Sequence, residues 1–163
     1  DIALGEKWTC TVTPNDGEDD GASSETSVTV VTDAEIIAVF PSVSSWTDAQ
    51  ADCVDRGGAL AWIESASVNS QVFDLCDASP ERAMETCSIG LQSPFTVWEN
   101  GDSVSYTNWK SGEPSGGSYT EIVNSTIGSG EWDATTPTNK PYICRFAGGG
   151  DYSDADSTAE IIE

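Results

Sequence analysis

Histidine is absent from this chain. That omission removes the Ser-His-Asp and Cys-His routes to an activated nucleophile. Carboxylates are numerous enough to offer a pair at glycosidase spacing almost anywhere, so their abundance carries no catalytic signal, and the chain reads as a non-enzyme. Basic residues are nearly as scarce: 6 Lys and Arg stand against 28 Asp and Glu, for a formal charge of −22. Binding a phosphate backbone or an anionic lipid face needs clustered cations, so nucleic acid and membrane surfaces drop out as partners. Cations, basic protein patches and neutral ligands remain. No apolar run approaches the roughly 20 residues of a membrane-spanning helix. The longest, Ala34 to Phe40, is already broken by Glu35. No basic and apolar leader precedes Asp1, so the sequence reads as a processed or excised segment whose address lies in its cysteines.

The cysteines are Cys10, Cys53, Cys76, Cys87 and Cys144, with no CxxC pair among them. Zinc would need closely spaced Cys and His, so two disulfides plus one odd cysteine is the better account. Disulfides imply an oxidising setting, extracellular or at a cell surface. The sequon Asn124-Ser125-Thr126 fits that setting and makes Asn124 a candidate glycosylation site.

Along the chain, Lys7 to Thr13 and Glu25 to Thr32 alternate with a period of two, placing Trp8, Val12, Val28 and Val30 on one face. The turn formers from Pro14 to Gly21 join them into a hairpin with an acidic loop. Asp16, Glu18, Asp20 and Gly21 mimic the start of an EF-hand loop, but position twelve would be Ser27 and the flanks are strands, so a solvated turn is the preferred reading. Ile36, Ala38 and Phe40 predict a short strand ending at Pro41. Ser44 or Ser45 then caps a helix with Trp46, Ala49, Cys53 and Val54 on one stripe, stopped by Gly57-Gly58. Alternation returns at Leu60 to Ile63, and a second helix spans about Ala66 to Cys76 with Val68, Val72, Phe73 and Leu75 apolar. Cys87 to Phe146 reads as short strands and loops. Two helices followed by a loop-rich β half make an α+β domain. The Gly-rich acidic stretch 147–163 is expected to be a mobile tail or linker.

From residue 34 to 146 the order of signals resembles the C-type lectin-like domain. Trp46 to Cys53 leading to Gly57-Gly58-Ala59-Leu60-Ala61 resembles that family's first helix and second strand. Cys87-Ser88-Ile89-Gly90-Leu91 stands for its WIGL core motif, with Ser88 in place of Trp. Trp98-Glu99-Asn100-Gly101 and Tyr106-Thr107-Asn108-Trp109 resemble the long-loop entrance. Gly112-Glu113-Pro114-Ser115 resembles the EPN motif, Glu131-Trp132-Asp133 the WND motif, and Pro141-Tyr142-Ile143-Cys144 the closing strand. The resemblance implies two helices, short antiparallel sheets and a long irregular loop. It also implies a Cys53–Cys144 bridge, leaving Cys76 and Cys87 to pair and Cys10 without a partner in this chain. The family's usual second bridge is missing: Tyr119 sits near its first position, and no cysteine lies between Trp132 and Cys144. Trp98, Trp109 and Trp132 read as core packing rather than sugar platforms.

In calcium-dependent relatives, oxygens from EPN, a loop acid and the Asn-Asp of WND hold one Ca²⁺, which takes six to eight oxygens. Here Glu113 is retained, Ser115 offers a hydroxyl, the loop-acid position falls at Gly117 with Glu121 as a shifted substitute, Asp133 replaces Asn, and Ala134 deletes the last carboxylate. Arg145 follows the closing cysteine, where several calcium-binding relatives carry Glu. The expected ligand-binding residues are therefore Glu113, Ser115, Glu121 and Asp133. Glu113 and Asp133 form at most a weak, degenerate calcium site, and no cofactor is required.

Gly5 to Gly17 and Ser27 to Val30 resemble the closing hairpin of an Ig-like repeat of microbial surface proteins. The expected organisation is thus a hairpin at 1–32, a C-type lectin-like domain at 33–146 and a tail at 147–163. The expected function is extracellular recognition or adhesion, binding protein or glycan through the long-loop surface as part of a larger surface protein. The competing reading is a structural subunit of an extracellular filament or surface assembly, with copies of itself or neighbouring Ig-like domains as partners.

Overall fold

The computed structural model describes residues 7–15, 17, 19, 21–29, 35–80, 86–136 and 139–161. Asp16, Glu18, Asp20, Val30 and the side chains of Trp8 and Val28, all invoked above, lie outside the described residues. The chain divides into two compact units, Asp1–Ala34 and Glu35–Glu163.

The first unit is a hairpin of β1 (Lys7–Val12) and β2 (Ser24–Thr29), antiparallel in register from Lys7 opposite Thr29 to Val12 opposite Ser24. Its loop closes on a 2.7 Å hydrogen bond from the Gly21 amide to the Pro14 carbonyl. Cys10 carries an exposed free thiol, and Val12 is 60% exposed.

The second unit contains β3 (Ile36–Val43), α1 (Trp46–Asp55), β4 (Ala59–Leu60), α2 (Ala66–Ala78), β5 (Thr86–Gln92), β6 (Tyr119–Val123), β7 (Trp132–Thr135), β8 (Lys140–Phe146) and β9 (Ser157–Glu160). Among the described residues these strands form one sheet, in the order β7-β6-β5-β8-β3-β9, with β4 paired to β8. Pairing is antiparallel except for the β5–β8 contact at Ser88 and Tyr142.

β3 explains its own continuous apolar run. Ile37 and Val39 join a core cluster with Val68, Val72 and Leu75 of α2, while Ala38 and Phe40 join Trp46, Ala49 and Cys53 of α1. A strand covered on both faces buries every side chain, and Ile37 to Phe40 are 0% exposed. The strand continues through Pro41 to Val43, beyond the expected stop. Its register shifts between Phe40 and Val43, the kind of irregularity that tolerates a residue without an amide proton.

Both helices start at serine caps. The Ser45 Oγ accepts the Asp48 amide, and the Ser65 Oγ accepts the Val68 amide. Val54, placed on the inner stripe of α1 by its spacing, is 55% exposed, because the stripe is already filled by Trp46, Ala49 and Cys53. Nor does Leu60 to Ile63 alternate: Leu60, Ala61 and Ile63 are all fully buried. Cys53 of α1 is bridged to Cys144 of β8, and Cys76 of α2 to Cys87 of β5, with Cα separations of 5.5 and 5.9 Å.

The expected mobile tail is corrected. Residues Ser157–Glu160 form β9, the strand beside β3 at one edge of the sheet, with Ile36 facing Glu160 and Val39 facing Ser157. The Asp156 amide donates to the Val39 carbonyl and the Ile161 amide to the Glu35 carbonyl, both at 2.8 Å. Upstream, the Arg56 guanidinium at the end of α1 pairs with Asp52 and Asp154 and lies 4.2 Å over the Phe40 ring. The tail's acidic composition masked this, because an edge strand needs backbone pairing more than apolar side chains.

Candidate functional site

The long loop, residues 93–118, runs from β5 to β6 and returns its end to β7. Trp132 anchors it from beneath. Its ring is fully buried and meets Trp98, Tyr106 and Trp109 edge to face, at centroid distances of 5.5, 5.8 and 5.6 Å. Trp98 and Trp132 are core, as their motif positions imply, and Trp109 is partly buried against them. Offset and edge-on aromatic pairs of this kind add to area burial. The Trp132 amide donates to the Asn108 carbonyl, and the Lys110 amide to the Trp132 carbonyl, so the loop is stitched to β7 by its backbone.

On that base the EPN-like and WND-like segments meet. The Glu113–Pro114 peptide bond is cis. One Glu113 oxygen, Oε2, accepts the Ser115 amide at 2.6 Å and the Ala134 amide at 3.3 Å, while Oε1 accepts the Ser115 hydroxyl at 2.8 Å. Led by the Ser115 hydroxyl, these donors hold the Glu113 carboxyl below its usual range. Asp133 pairs with the Lys110 ammonium at 3.6 Å. Glu131 accepts the Ser129 amide at 2.8 Å, which is the main reason its carboxyl also lies low.

The structure thus brings Glu113, Ser115 and Asp133 together at the loop tip, but not in a form that fits calcium. Both Glu113 oxygens already serve protein donors, Ser115 spends its hydroxyl on Glu113, and Ala134 presents an N–H where a carboxylate would be needed. An acid at Gly117 has no room: a Cβ there would lie 2.1 Å from the Thr135 nitrogen. Among the described residues, no group of three or more Cys, Asp or Glu side chains is arranged to hold a metal ion.

Two expected site residues are buried. Glu121, on β6 between Ser88 and Asp133, is only 6% exposed, which takes it off the ligand-facing surface. Asn124 is fully buried, and its Oδ1 accepts the Thr126 amide, so the fold leaves no space for a glycan there. A sequon triplet carries no information about burial.

Three residues escaped the sequence reading. Asn69 of α2 is buried and accepts the Trp132 Nε1–H at 2.7 Å while donating to the Gly130 carbonyl at 3.1 Å. Asn108 donates to the same carbonyl at 2.8 Å. Lys110 was visible as one of only six cations, three residues before Glu113. A second feature lies away from the loop tip. A cleft of about 440 Å³ is lined by Glu35, Trp62, Glu64, Trp98, Asp102 and Arg145 among others. Arg145 is 1% exposed, holds Glu35 and Glu64, donates to the Trp62 carbonyl at 2.8 Å and stacks 4.3 Å over the Trp62 ring.

Fold, bridges and loop together define a lectin-type domain. Residues 42–146 match the family model described as the Lectin C-type domain, well over half of the chain, and the chain belongs to that family. Collectin-10 of Gallus gallus is 26% identical over 121 residues, covering 71% of this chain and 43% of the relative. The chain therefore spans less than half the length of that relative. Human lithostathine has the same fold, with a TM-score of 0.59, 21% identity, and 72% of this chain and 86% of that chain covered. So does a calcium-independent type II antifreeze protein, with a TM-score of 0.59, 22% identity, and coverage of 72% and 89%.

Proposed function

We propose that this chain is a non-enzymatic extracellular recognition module that binds protein or glycan through the long-loop surface without a calcium ion bridging to the ligand. The observation that carries the reading is the closed hydrogen-bond set of Glu113, which organises the loop tip with protein donors alone. Family membership supports recognition over catalysis, and the absence of histidine agrees. Two disulfides support an oxidising compartment.

The test is a glycan array and an extracellular-protein panel, each read with calcium and with excess chelator. Binding that survives chelation and falls at least tenfold in Glu113→Ala is expected. Binding lost on chelation, or undiminished in Glu113→Ala, would overturn the reading.

The second reading, a subunit of a filament or surface assembly, draws on the hairpin. An exposed cysteine and an exposed valine on β1 are features a neighbouring Ig-like sheet would cover. Sedimentation of the chain with residues 1–32 deleted distinguishes the two: self-association that disappears with the hairpin favours assembly.

A further inference from the structure

The loop tip holds a cation after all, and it is part of the chain. Lys110 is fixed from both sides: its amide donates to the Trp132 carbonyl at 2.9 Å, and its carbonyl accepts the Glu113 amide at 2.9 Å. Those two bonds fix its backbone between the segment carrying Glu113 and the strand carrying Asp133. The ammonium reaches Asp133 Oδ2 at 3.6 Å. Its field also reaches Glu113 and Glu131, adding to the hydrogen bonds that keep both carboxyls ionised. Asp133 is the carboxylate within ion-pair reach of Lys110, and Glu113 and Glu131 feel the ammonium only as a longer-range field.

We infer that Lys110 is a built-in counter-ion that closes the long loop of this domain to calcium. The inference rests on reading residues 110–134 as the loop where relatives bind metal, but on no property of the ligand. Its logic is charge counting. Calcium affinity at such sites follows the number of anionic oxygens, and an ammonium among them both lowers the net charge and repels a second cation. Lys110 is half exposed, so the pair contributes little to folding and its effect lies in the local field. The neutral donors around Glu113 complete the substitution: the Ser115 and Ala134 amides supply the remaining partial positive charge. Nothing needs to bind for the loop to keep its shape.

The experiment titrates calcium chloride into the wild-type chain, Lys110→Gln and Lys110→Arg, by calorimetry and terbium luminescence, with near-ultraviolet circular dichroism confirming the fold of each. The wild type should show no calcium binding up to about 10 mM, beyond the weakest extracellular modules. Lys110→Arg, which keeps the charge, should match it. Lys110→Gln should bind calcium at least tenfold more tightly than the wild type. Equal calcium responses in wild type and Lys110→Gln, whether both silent or both binding, would overturn the inference. So would a gain in Lys110→Arg equal to that in Lys110→Gln. None of these outcomes depends on whether a protein or glycan ligand is found, so failure here is separable from failure of the recognition reading.

Discussion

The Asn69 carboxamide accepts the Trp132 indole N–H at 2.7 Å across 63 residues of sequence. It joins α2 to the strand on which the long loop rests, and the same amide donates to the Gly130 carbonyl. Both partners are buried. Asn69→Ala should cost about 2–3 kcal/mol, because it leaves the indole donor in the core without a partner and opens a small void. Urea unfolding followed by tryptophan fluorescence measures this. A loss below 0.5 kcal/mol would mean that the contact is incidental.

Arg145 is a different kind of anchor. Its guanidinium joins the residue before β3 to the segment after β4, and only 2% of its side chain is exposed. Arg145→Ala should destabilise by about 3–5 kcal/mol, since Glu35 and Glu64 are left facing each other in a half-buried cleft. Arg145→Lys should recover only part, because one ammonium cannot serve two carboxylates, a carbonyl and a ring face at once. Combining Arg145→Met with Glu35→Gln and Glu64→Gln should restore most of the loss. Thermal denaturation of the four proteins tests the order.

The two bridges differ in the loops they close. Replacing Cys53 and Cys144 with alanine removes a link of sequence separation 91, and Cys76 with Cys87 one of separation 11. Chain entropy then assigns about 4–5 kcal/mol to the first and about 3 kcal/mol to the second. Chemical unfolding of the double variants should rank them in that order.

pH dependence has two sides. The Glu113 carboxyl is held below its ordinary 4.5, so its contribution is complete above that pH and is lost as pH falls through the lower folded value. The stability advantage of wild type over Glu113→Gln should therefore shrink below pH 4.5. Tyr142 runs the other way. Burial, aided by its hydrogen bond to Asp52, raises the phenol above its usual 10, so its contribution is complete below pH 10 and is lost as pH rises. Wild type should lose stability relative to Tyr142→Phe above pH 10. Comparing each pair removes the general effect of the −22 charge.

The residues that proved legible in the sequence share a physical basis. Ser45 and the apolar spacing of α1 and α2 are local signals, read by the backbone within one or two turns. The long-loop motifs were legible through their order along the chain. What escaped depends on tertiary placement. Asn69 looks like any polar helix residue until Trp132 is brought above it. β9 is a small, polar strand that exists because β3 leaves one edge open. Lys110 gained meaning only when Glu113 and Asp133 were seen to flank it. Asn124 fits the sequon pattern, and only the fold reveals that it is buried.

The pairing of β9 with β3 also sets how this domain would respond to tension. Glu35 and Ile161 lie side by side, joined by a 2.8 Å hydrogen bond, and Ile36 faces Glu160. A pull between residues 35 and 161 loads the rungs of that ladder singly from one end, as in opening a zipper, rather than sharing the load along the strand. β9 should peel at low force. The Cys53–Cys144 bridge is covalent, so only the residues outside it can pay out. They number about 35, roughly 120 Å at full extension. Peeling β9 is the soft stage; going further means pulling the buried β3 and the start of α1 out of the core, and the bridge, with the long loop behind it, limits the extension after that.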